Sequence, residues 1–185
     1  MSLHMAEEAP SAFPFNTPDV DVMVSDSVAK VFDTMMSTKA ALFTAYNHGE
    51  TPEKSHPRLK VEGTDQMMVV GMIGFLGNIK GVIYIYVDET TSIDITSHFL
   101  GIDKAELKTN HETVNDALGE LSNMISGTFK NQLCDKGFNC RLTIPSILRA
   151  NNFTIEPLPG AMHRMYQFEV FDSAMGLELV MMEGD

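Results

Sequence analysis

Apolar and polar positions alternate with two different periods along the chain, and these periods predict its helices and strands. The segment AKVFDTMMST belongs to a stretch with apolar residues at helical spacing, which predicts a first helix that starts between residues 20 and 25. The runs MMVVGMIGF and GVIYIYVD are rich in β-branched and aromatic residues, which predicts a hairpin over residues 67–75 and 81–88. A short helix over residues 90–100 is predicted to end at Gly101.

The second half of the chain repeats this order, beginning with a long helix. Thr109 is its predicted N-cap, with Glu112 three residues later completing a capping box, and Gly137 is predicted to stop the helix after Lys136. Strands are predicted over residues 139–144, where Pro145 follows, and over residues 165–172 and 176–183. The repeated order predicts an α/β domain whose sheet is built from two related halves.

Polar, proline-containing stretches mark the predicted boundaries. Residues 1–18 contain three prolines and few core-like positions, so they are predicted to form a flexible N-terminal tail. Residues 47–64 contain two prolines and two glycines, which predicts a loop. The remaining length suits one domain, over residues 19–185.

Composition narrows the classes of function. The chain has 25 acidic and 13 basic residues, a net charge of −12, which disfavours nucleic acid as a partner. No apolar run approaches the roughly 18 residues that span a membrane, and no secretory signal is recognisable, so we expect a cytoplasmic protein without a membrane partner. Cys134 and Cys140 have a spacing that fits no zinc motif, and we expect both to be free thiols.

The long helix carries an unusual polar stripe within the stretch DALGELSNMISG. Asp116, Glu120 and Asn123 fall within an arc of about 60° on a helical wheel. The opposite side is apolar, with Val114, Leu118, Leu121, Ile125 and Phe129, widened by Ala117 and Met124. The helix is therefore predicted to pack its apolar side on the sheet.

Acidic residues on an exposed helix most often form a solvated face, but two details of this stripe favour a docking surface. Gly119 and Gly127 lie on or beside it, and each glycine costs roughly 1 kcal/mol relative to alanine in a helix interior. Asn123 is a poor helix former without a capping role. Glycines beside a polar stripe allow another surface to approach closely.

These residues resemble the signature of a known family. Asp116-x-x-x-Glu120-x-x-Asn123 followed by Pro145, the string GELSNM and the hairpin GMIGFLGNIKGVIYIY resemble the CheC/CheX/FliY family of chemotaxis phosphatases, which act on the phosphorylated response regulator CheY. The resemblance covers roughly residues 20–175. It implies a CheX-like α/β (α+β) fold with a mostly antiparallel sheet packed against two long helices, in pseudo-twofold halves.

The resemblance points to the CheX branch. In the first helix, the stretch DSVAKVFD places Asp26, Lys30 and Asp33 where a second copy of the site would need an acid, a glutamate and an asparagine. A lysine cannot replace the acceptor, and an aspartate offers no amide, so this copy is degenerate. A single intact site is the CheX pattern, and the resemblance also implies a homodimer.

The family implies a role for each residue of the intact site. Asn123 orients the attacking water, and Glu120 docks the lysine beside the regulator's phosphorylation site. Asp116, Gly119, Gly127 and Pro145 are supporting residues. The resemblance implies no cofactor of the chain's own, because the response regulator supplies Mg²⁺.

Two other classes of function remain open at this point. A non-catalytic binding module for a response regulator or the flagellar switch, similar to the middle domain of FliM, would have the same fold without a working site. A metal site could use Asp116, Glu120 and a histidine, but His111 faces away from the stripe on a helical wheel.

Overall fold

The structure is a computed structural model, and it describes residues 14–57, 59, 66–151, 153–156 and 158–184. The helices are α1 (Thr17–Met36), α2 (Glu89–Leu100), α3 (Lys104–Leu107) and α4 (His111–Asp135). The strands are β1 (Ala40–Asn47), β2 (Met67–Gly77), β3 (Ile79–Asp88), β4 (Cys140–Leu142), β5 (Ser146–Asn151), β6 (Met162–Val170) and β7 (Ser173–Glu183).

The seven strands in the described part of the chain form one antiparallel sheet, which confirms the predicted fold class. The order is β1-β6-β7-β3-β2-β4, and β5 also pairs with β2. This order reads symmetrically about the junction of the β2–β3 and β6–β7 hairpins. The strand that follows each long helix joins the hairpin of the other half, since β1 pairs with β6 and β4 pairs with β2. The two halves are therefore interlocked.

The long helices α1 and α4 contact each other and share one face of the sheet with α2. A continuous core of apolar side chains from these helices and the sheet fills the space between them. Gln132 on α4 ties the two helices together, because its Nε2 donates to the Met23 carbonyl and to Ser27 Oγ, each at 2.9 Å. The apolar side predicted for α4 is the side that faces this core.

The first helix begins earlier than its apolar pattern predicts. The backbone N–H of Asp19 donates to Asn16 Oδ1 at 2.9 Å, so Asn16 is the N-cap, and Pro18 occupies the first turn. Phe15 is buried and packs its ring edge against Phe138, with the ring centroids 4.8 Å apart. α1 therefore begins inside the stretch predicted as a tail, and residues 1–13 of that stretch lie outside the described residues.

Several other boundaries differ from prediction by a small amount. The N-cap of α4 is Asn110, not Thr109, and its Oδ1 accepts from the Thr113 N–H at 3.2 Å. Gly101 and Gly137 both have positive φ and follow their helices as predicted. The elements that the sequence did not predict are β1, α3 and β5. Both cysteines are free thiols, as expected.

The predicted loop covers the second face of the sheet. Leu59 is buried there beside Tyr86, and the His56 N–H donates to Gln167 Oε1 on β6 at 2.6 Å. Within residues 48–57, 59 and 66, no helix or strand is present. The rest of the predicted loop, residue 58 and residues 60–64, lies outside the described residues.

Gly71 on β2 allows α4 to lie unusually close to the sheet. A Cβ at Gly71 would lie 2.1 Å from Ser122 Oγ and 3.2 Å from Ser122 Cβ. Ser122 Oγ cannot easily turn away, because it is buried and donates to the Leu118 carbonyl at 2.7 Å. A side chain at Gly71 must therefore push α4 outward or break this hydrogen bond.

We expect Gly71→Ala to lower the free energy of unfolding by about 1–3 kcal/mol, because overpacking strains the seat of α4. Gly119→Ala is the matched control, since a Cβ there would meet its nearest neighbours at 4.0 Å. This control removes a glycine from a helix interior and should be neutral or stabilising by up to about 1 kcal/mol. Denaturant unfolding measures both, and equal losses would contradict the close-packing argument.

A buried histidine on the second face of the sheet makes the stability sensitive to acid. The His163 side chain is 4% exposed, and its Nε2 lies 3.1 Å from Glu178 Oε2. Its ring stacks on His48, with the centroids 4.1 Å apart. Burial lowers the pKa of His163 to about 4, and His48 adds to the shift. In the folded protein at neutral pH, His163 is therefore neutral, and its Nε2 lies within hydrogen-bonding distance of Glu178.

We expect the free energy of unfolding to fall as the pH falls from about 6.5 toward 4. Between these pH values the unfolded chain binds a proton on His163, whereas the folded protein keeps His163 neutral. The stabilisation that results from the neutral, buried His163 is therefore complete above pH 6.5 and is lost as the pH falls toward 4. The loss should reach about 1–3 kcal/mol. Denaturant unfolding between pH 7 and 5 should show a shallower dependence for His163→Gln and an unchanged one for the exposed His98→Gln. The same pH dependence in His163→Gln would assign the effect to other groups.

Candidate functional site

The predicted stripe lies on the side of α4 that faces away from the core. Asp116 and Glu120 are exposed and Asn123 is half-buried, while the intervening Leu118 and Leu121 are buried. Burial of the apolar side fixes the rotation of the helix about its axis. The structure therefore presents the three polar side chains together on one surface, one turn of helix apart.

The side chains of the stripe are unpaired within the described residues. Within the part of the chain that the structure describes, Asp116, Glu120 and Asn123 form no side-chain hydrogen bond or ion pair. Ser122 and Thr128 on the same helix behave differently, since each hydroxyl donates to the carbonyl four residues earlier. The carboxylate of Glu120 and the carboxamide of Asn123 are thus available to a molecule outside the chain.

Pro145, which follows the predicted strand over residues 139–144, lies beside the middle of the stripe. Gly119 is buried, and a Cβ there would lie 4.0 Å from Pro145 Cβ and 4.0 Å from Ile147 side-chain atoms. The surface that approaches Gly119 is therefore the chain's own β4–β5 segment. Because 4.0 Å is an ordinary contact distance, this packing does not require glycine.

The segment before Pro145 is hydrogen-bonded to the sheet. The Thr143 N–H donates to the Gly74 carbonyl at 2.8 Å, and the Gly74 N–H donates to Thr143 Oγ1 at 2.9 Å. Ile144, between Thr143 and Pro145, is 86% exposed. An apolar side chain therefore projects into solvent beside Pro145, and a single exposed apolar residue of this kind is ordinary on a protein surface.

Arg149 on β5 holds the N-terminal half of α4, and sequence reasoning did not find it. Its Nε donates to Asn115 Oδ1 at 2.9 Å, and its Nη1 lies 3.2 Å from Glu89 Oε1 at the start of α2. The contact joins residues far apart in the chain. This contact could have been predicted from the sequence only by first predicting β5.

At its C-terminal end the stripe runs into a shallow groove between α4 and β4. The groove begins at Asn123 and continues past Gly127, and its walls include Lys130, Arg141 and Leu142. Gly127 is half-buried, and a Cβ on it would meet only Leu142 Cδ1, at 4.0 Å. Space beside Asn123 is thus left open by the chain's own packing.

The degenerate copy occupies the related position in the first half. Lys30 and Asp33 on α1 are exposed and line a groove with Lys39, just before β1. Asp26 is exposed one turn earlier. The helix-and-strand frame therefore recurs in both halves, but only the second half carries a glutamate and an asparagine.

No group of three or more histidine, cysteine, aspartate or glutamate side chains converges to hold a metal ion among the described residues. His111 lies 3.7 Å from Glu89 rather than on the stripe. None of the described helices is both long enough and apolar enough to cross a membrane.

Comparison with known families identifies the fold and its class. The family model described as chemotaxis phosphatase CheX matches residues 69–169, which include the whole stripe and Pro145. The chain belongs to the CheX family. No curated protein sequence matches it significantly.

Solved structures of CheX proteins have the same fold. The chemotaxis protein CheX from Desulfovibrio desulfuricans has a TM-score of 0.69 at 18% identity and covers 87% of this chain and 97% of its own. CheX from Vibrio vulnificus has a TM-score of 0.69 at 22% identity, covering 88% and 99%. The complex of CheX, CheY, BeF₃ and Mg²⁺ from Borrelia burgdorferi has a TM-score of 0.66 at 20% identity, covering 89% and 99%.

Together these matches confirm the family and the fold that the sequence motif implies. At sequence identities of 18–22%, these structures establish the fold but not the roles of individual residues. The roles assigned to Asn123, Glu120, Asp116, Gly119, Gly127 and Pro145 stay predictions.

Proposed function

We propose that this CheX-family chain hydrolyses the aspartyl phosphate of a CheY-type response regulator. Asn123 orients the attacking water, and Glu120 pairs with the regulator's lysine. The observation that carries the proposal is the pair itself. In a chain of a phosphatase family, Glu120 and Asn123 lie one turn apart on an open helix face, and neither has a partner among the described residues.

The spacing of the pair suits two contacts to one target. Three residues of α-helix separate the Cα atoms by about 4.5 Å along the axis, and their side chains differ by about 60° in direction. When a cationic side chain of a partner binds the Glu120 carboxylate, the Asn123 side chain therefore lies close to that cation. Such a charge-assisted contact fixes the register of the neighbouring amide.

The carboxamide of Asn123 can hold a water without any acid–base chemistry. Its oxygen accepts a hydrogen bond and its nitrogen donates one, so a bound water can be aligned with the phosphorus. An acyl phosphate is already activated, and phosphoryl transfer depends mainly on position and electrostatics. A tenfold to thousandfold acceleration requires about 1.4–4 kcal/mol, which orienting one water can supply.

The openness of the site favours a protein substrate. Asp116 and Glu120 are exposed on a convex helix surface, where a small substrate would remain in water. The missing half of the active site must then come from the partner, together with its Mg²⁺. The related structure from Borrelia burgdorferi is a complex with CheY, BeF₃ and Mg²⁺, which supports this class of partner.

We expect Asn123→Ala to lower kcat for dephosphorylation of the cognate receiver domain by about tenfold to thousandfold, because it removes the group that orients the water. Glu120→Gln should mainly raise KM, since it removes the charge that docks the lysine. Asn151→Ala makes the same chemical change as Asn123→Ala at an exposed position at the end of β5 and serves as the control. Decay of radiolabelled phosphate on each receiver of the host measures the rates.

A non-catalytic binding module is the second candidate, because an open polar stripe suits docking with or without turnover. Wild type that binds a phosphorylated receiver yet leaves its decay unchanged would establish this module. Equal decay rates with wild type and Asn123→Ala on every receiver that wild type accelerates would also remove Asn123 from the mechanism.

The family resemblance also implies a homodimer. Light scattering at micromolar concentration should then give about twice the 20.5 kDa mass of the chain. A monomer across the concentration range would contradict this expectation without affecting the proposed chemistry.

A further inference from the structure

We propose that the groove between α4 and β4 is a second docking subsite, which receives an acidic segment of the response regulator through Lys130 and Arg141. This inference rests on the proposed function, because its occupant is part of the same partner. It adds a contact that determines which receiver binds, separate from the pair that performs and aligns the reaction.

The groove is continuous with the reactive pair. It has a volume of about 490 Å³, and Asn123 forms one of its ends. Lys130 follows Asn123 by seven residues, which places it about 10 Å further along the axis and within about 20° of the same direction. A regulator that brings its phosphoryl group to Asn123 therefore extends its neighbouring surface over Lys130.

Gly127 keeps this groove open, and internal packing does not explain it. The residue has an ordinary helical backbone rather than a positive φ, and the nearest atom to an added Cβ is Leu142 Cδ1 at 4.0 Å. Gly71 is the contrasting case, since there a Cβ would lie 2.1 Å from Ser122 Oγ. A helix-interior glycine with no packing requirement, between Asn123 and Lys130, is explained by an occupant that contacts the helix closely.

The charges of the groove define that occupant as acidic. Lys130 and Arg141 form no ion pair with any residue that the structure describes, although the chain has 25 acidic and 13 basic residues. Two unpaired cations on an acidic protein attract a carboxylate-rich surface at close range. The net charge of −12 disfavours nucleic acid as an alternative polyanion.

The groove of the first half supplies an internal control. It is lined by Lys30 and Lys39 but also by the carboxylate of Asp33, which offsets part of their charge. Lys39→Glu therefore makes the same change in net charge as Lys130→Glu or Arg141→Glu, at a similar site outside the proposed docking surface. Any effect of long-range repulsion alone must appear in all three variants.

The test uses the full chain and the receiver domain of the host that binds it most tightly when charged with beryllofluoride and Mg²⁺. Affinity is measured by calorimetry with that receiver charged with beryllofluoride and Mg²⁺, and kcat and KM are measured with the phosphorylated form. Lys130→Glu and Arg141→Glu should each raise Kd and KM by about tenfold or more, leave kcat within about twofold, and reduce the dependence of Kd on salt. Lys39→Glu should change Kd by less than about twofold.

Gly127→Gln and Gly127→Ala separate docking from folding. Both should raise the melting temperature by a few degrees, because each removes a glycine from a helix interior. Both should nevertheless weaken binding of the charged receiver, and the longer glutamine should weaken it more. A purely structural role for Gly127 would leave Kd unchanged.

The outcomes distinguish this inference from the proposed function. If wild type binds and dephosphorylates the receiver while Lys130→Glu and Arg141→Glu raise Kd no more than Lys39→Glu, the groove is not a docking subsite. If wild type binds the charged receiver without accelerating decay, the proposed chemistry fails, and the effects on Kd still decide the groove. If no receiver binds, both fail.

Discussion

The close seating of α4 on the sheet is the constraint on which the rest of the structure depends. At Gly71 the strand carries no side chain, so Ser122 packs directly against the backbone of β2. Ser122 is adjacent to Asn123, and the contact therefore fixes both the depth and the rotation of α4 at the candidate reactive residue. A helix held at one face by close packing presents its opposite face rigidly. The orientation of the polar stripe is in this sense a consequence of core packing.

The two long helices are held to the sheet in different ways. α1 is anchored by a polar cluster in which Arg164 and Tyr166 of β6 both donate to Asp21, at 2.6 and 2.8 Å. Burial raises the pKa of Tyr166, and the nearby Asp21 carboxylate raises it further, so the phenol stays a donor. No comparable cluster lies under the stripe of α4 among the described residues, where serine, glycine and apolar side chains form the contact. α1 therefore directs the carboxylate of Asp21 at the sheet, while α4, which is held instead through Asn115 and Gln132, keeps the side chains of its stripe on the outer face.

Sequence periodicity was sufficient where burial is one-sided and local. The hairpin of β2 and β3, the faces of α4 and the stop at Gly137 follow from apolar spacing and glycine, and the structure has all three. β5 was missed because it is a short outer strand whose side chains are largely exposed, so no apolar run marks it. The hydrogen bond from Arg149 to Asn115 was missed for the same reason, since it depends on where β5 pairs. The motif located the stripe, but the second wall of the site required the sheet topology.

A site on an open helix face needs fewer contacts for the chemical step than for recognition of the partner. Orienting one water requires only a few kcal/mol of stabilisation, and a single amide on a rigid helix can provide it. Under the proposed function, bringing that amide to one phosphoryl group among many similar receivers requires a larger set of contacts, because the described part of the chain leaves Glu120 on an open surface. α4 supplies these contacts at fixed heights along one axis, with Glu120 before Asn123 and Lys130 after it. Because the helix cannot stretch, the proposed mode of docking requires a receiver to match all three heights at once, and under that proposal the spacing itself contributes to the choice of partner.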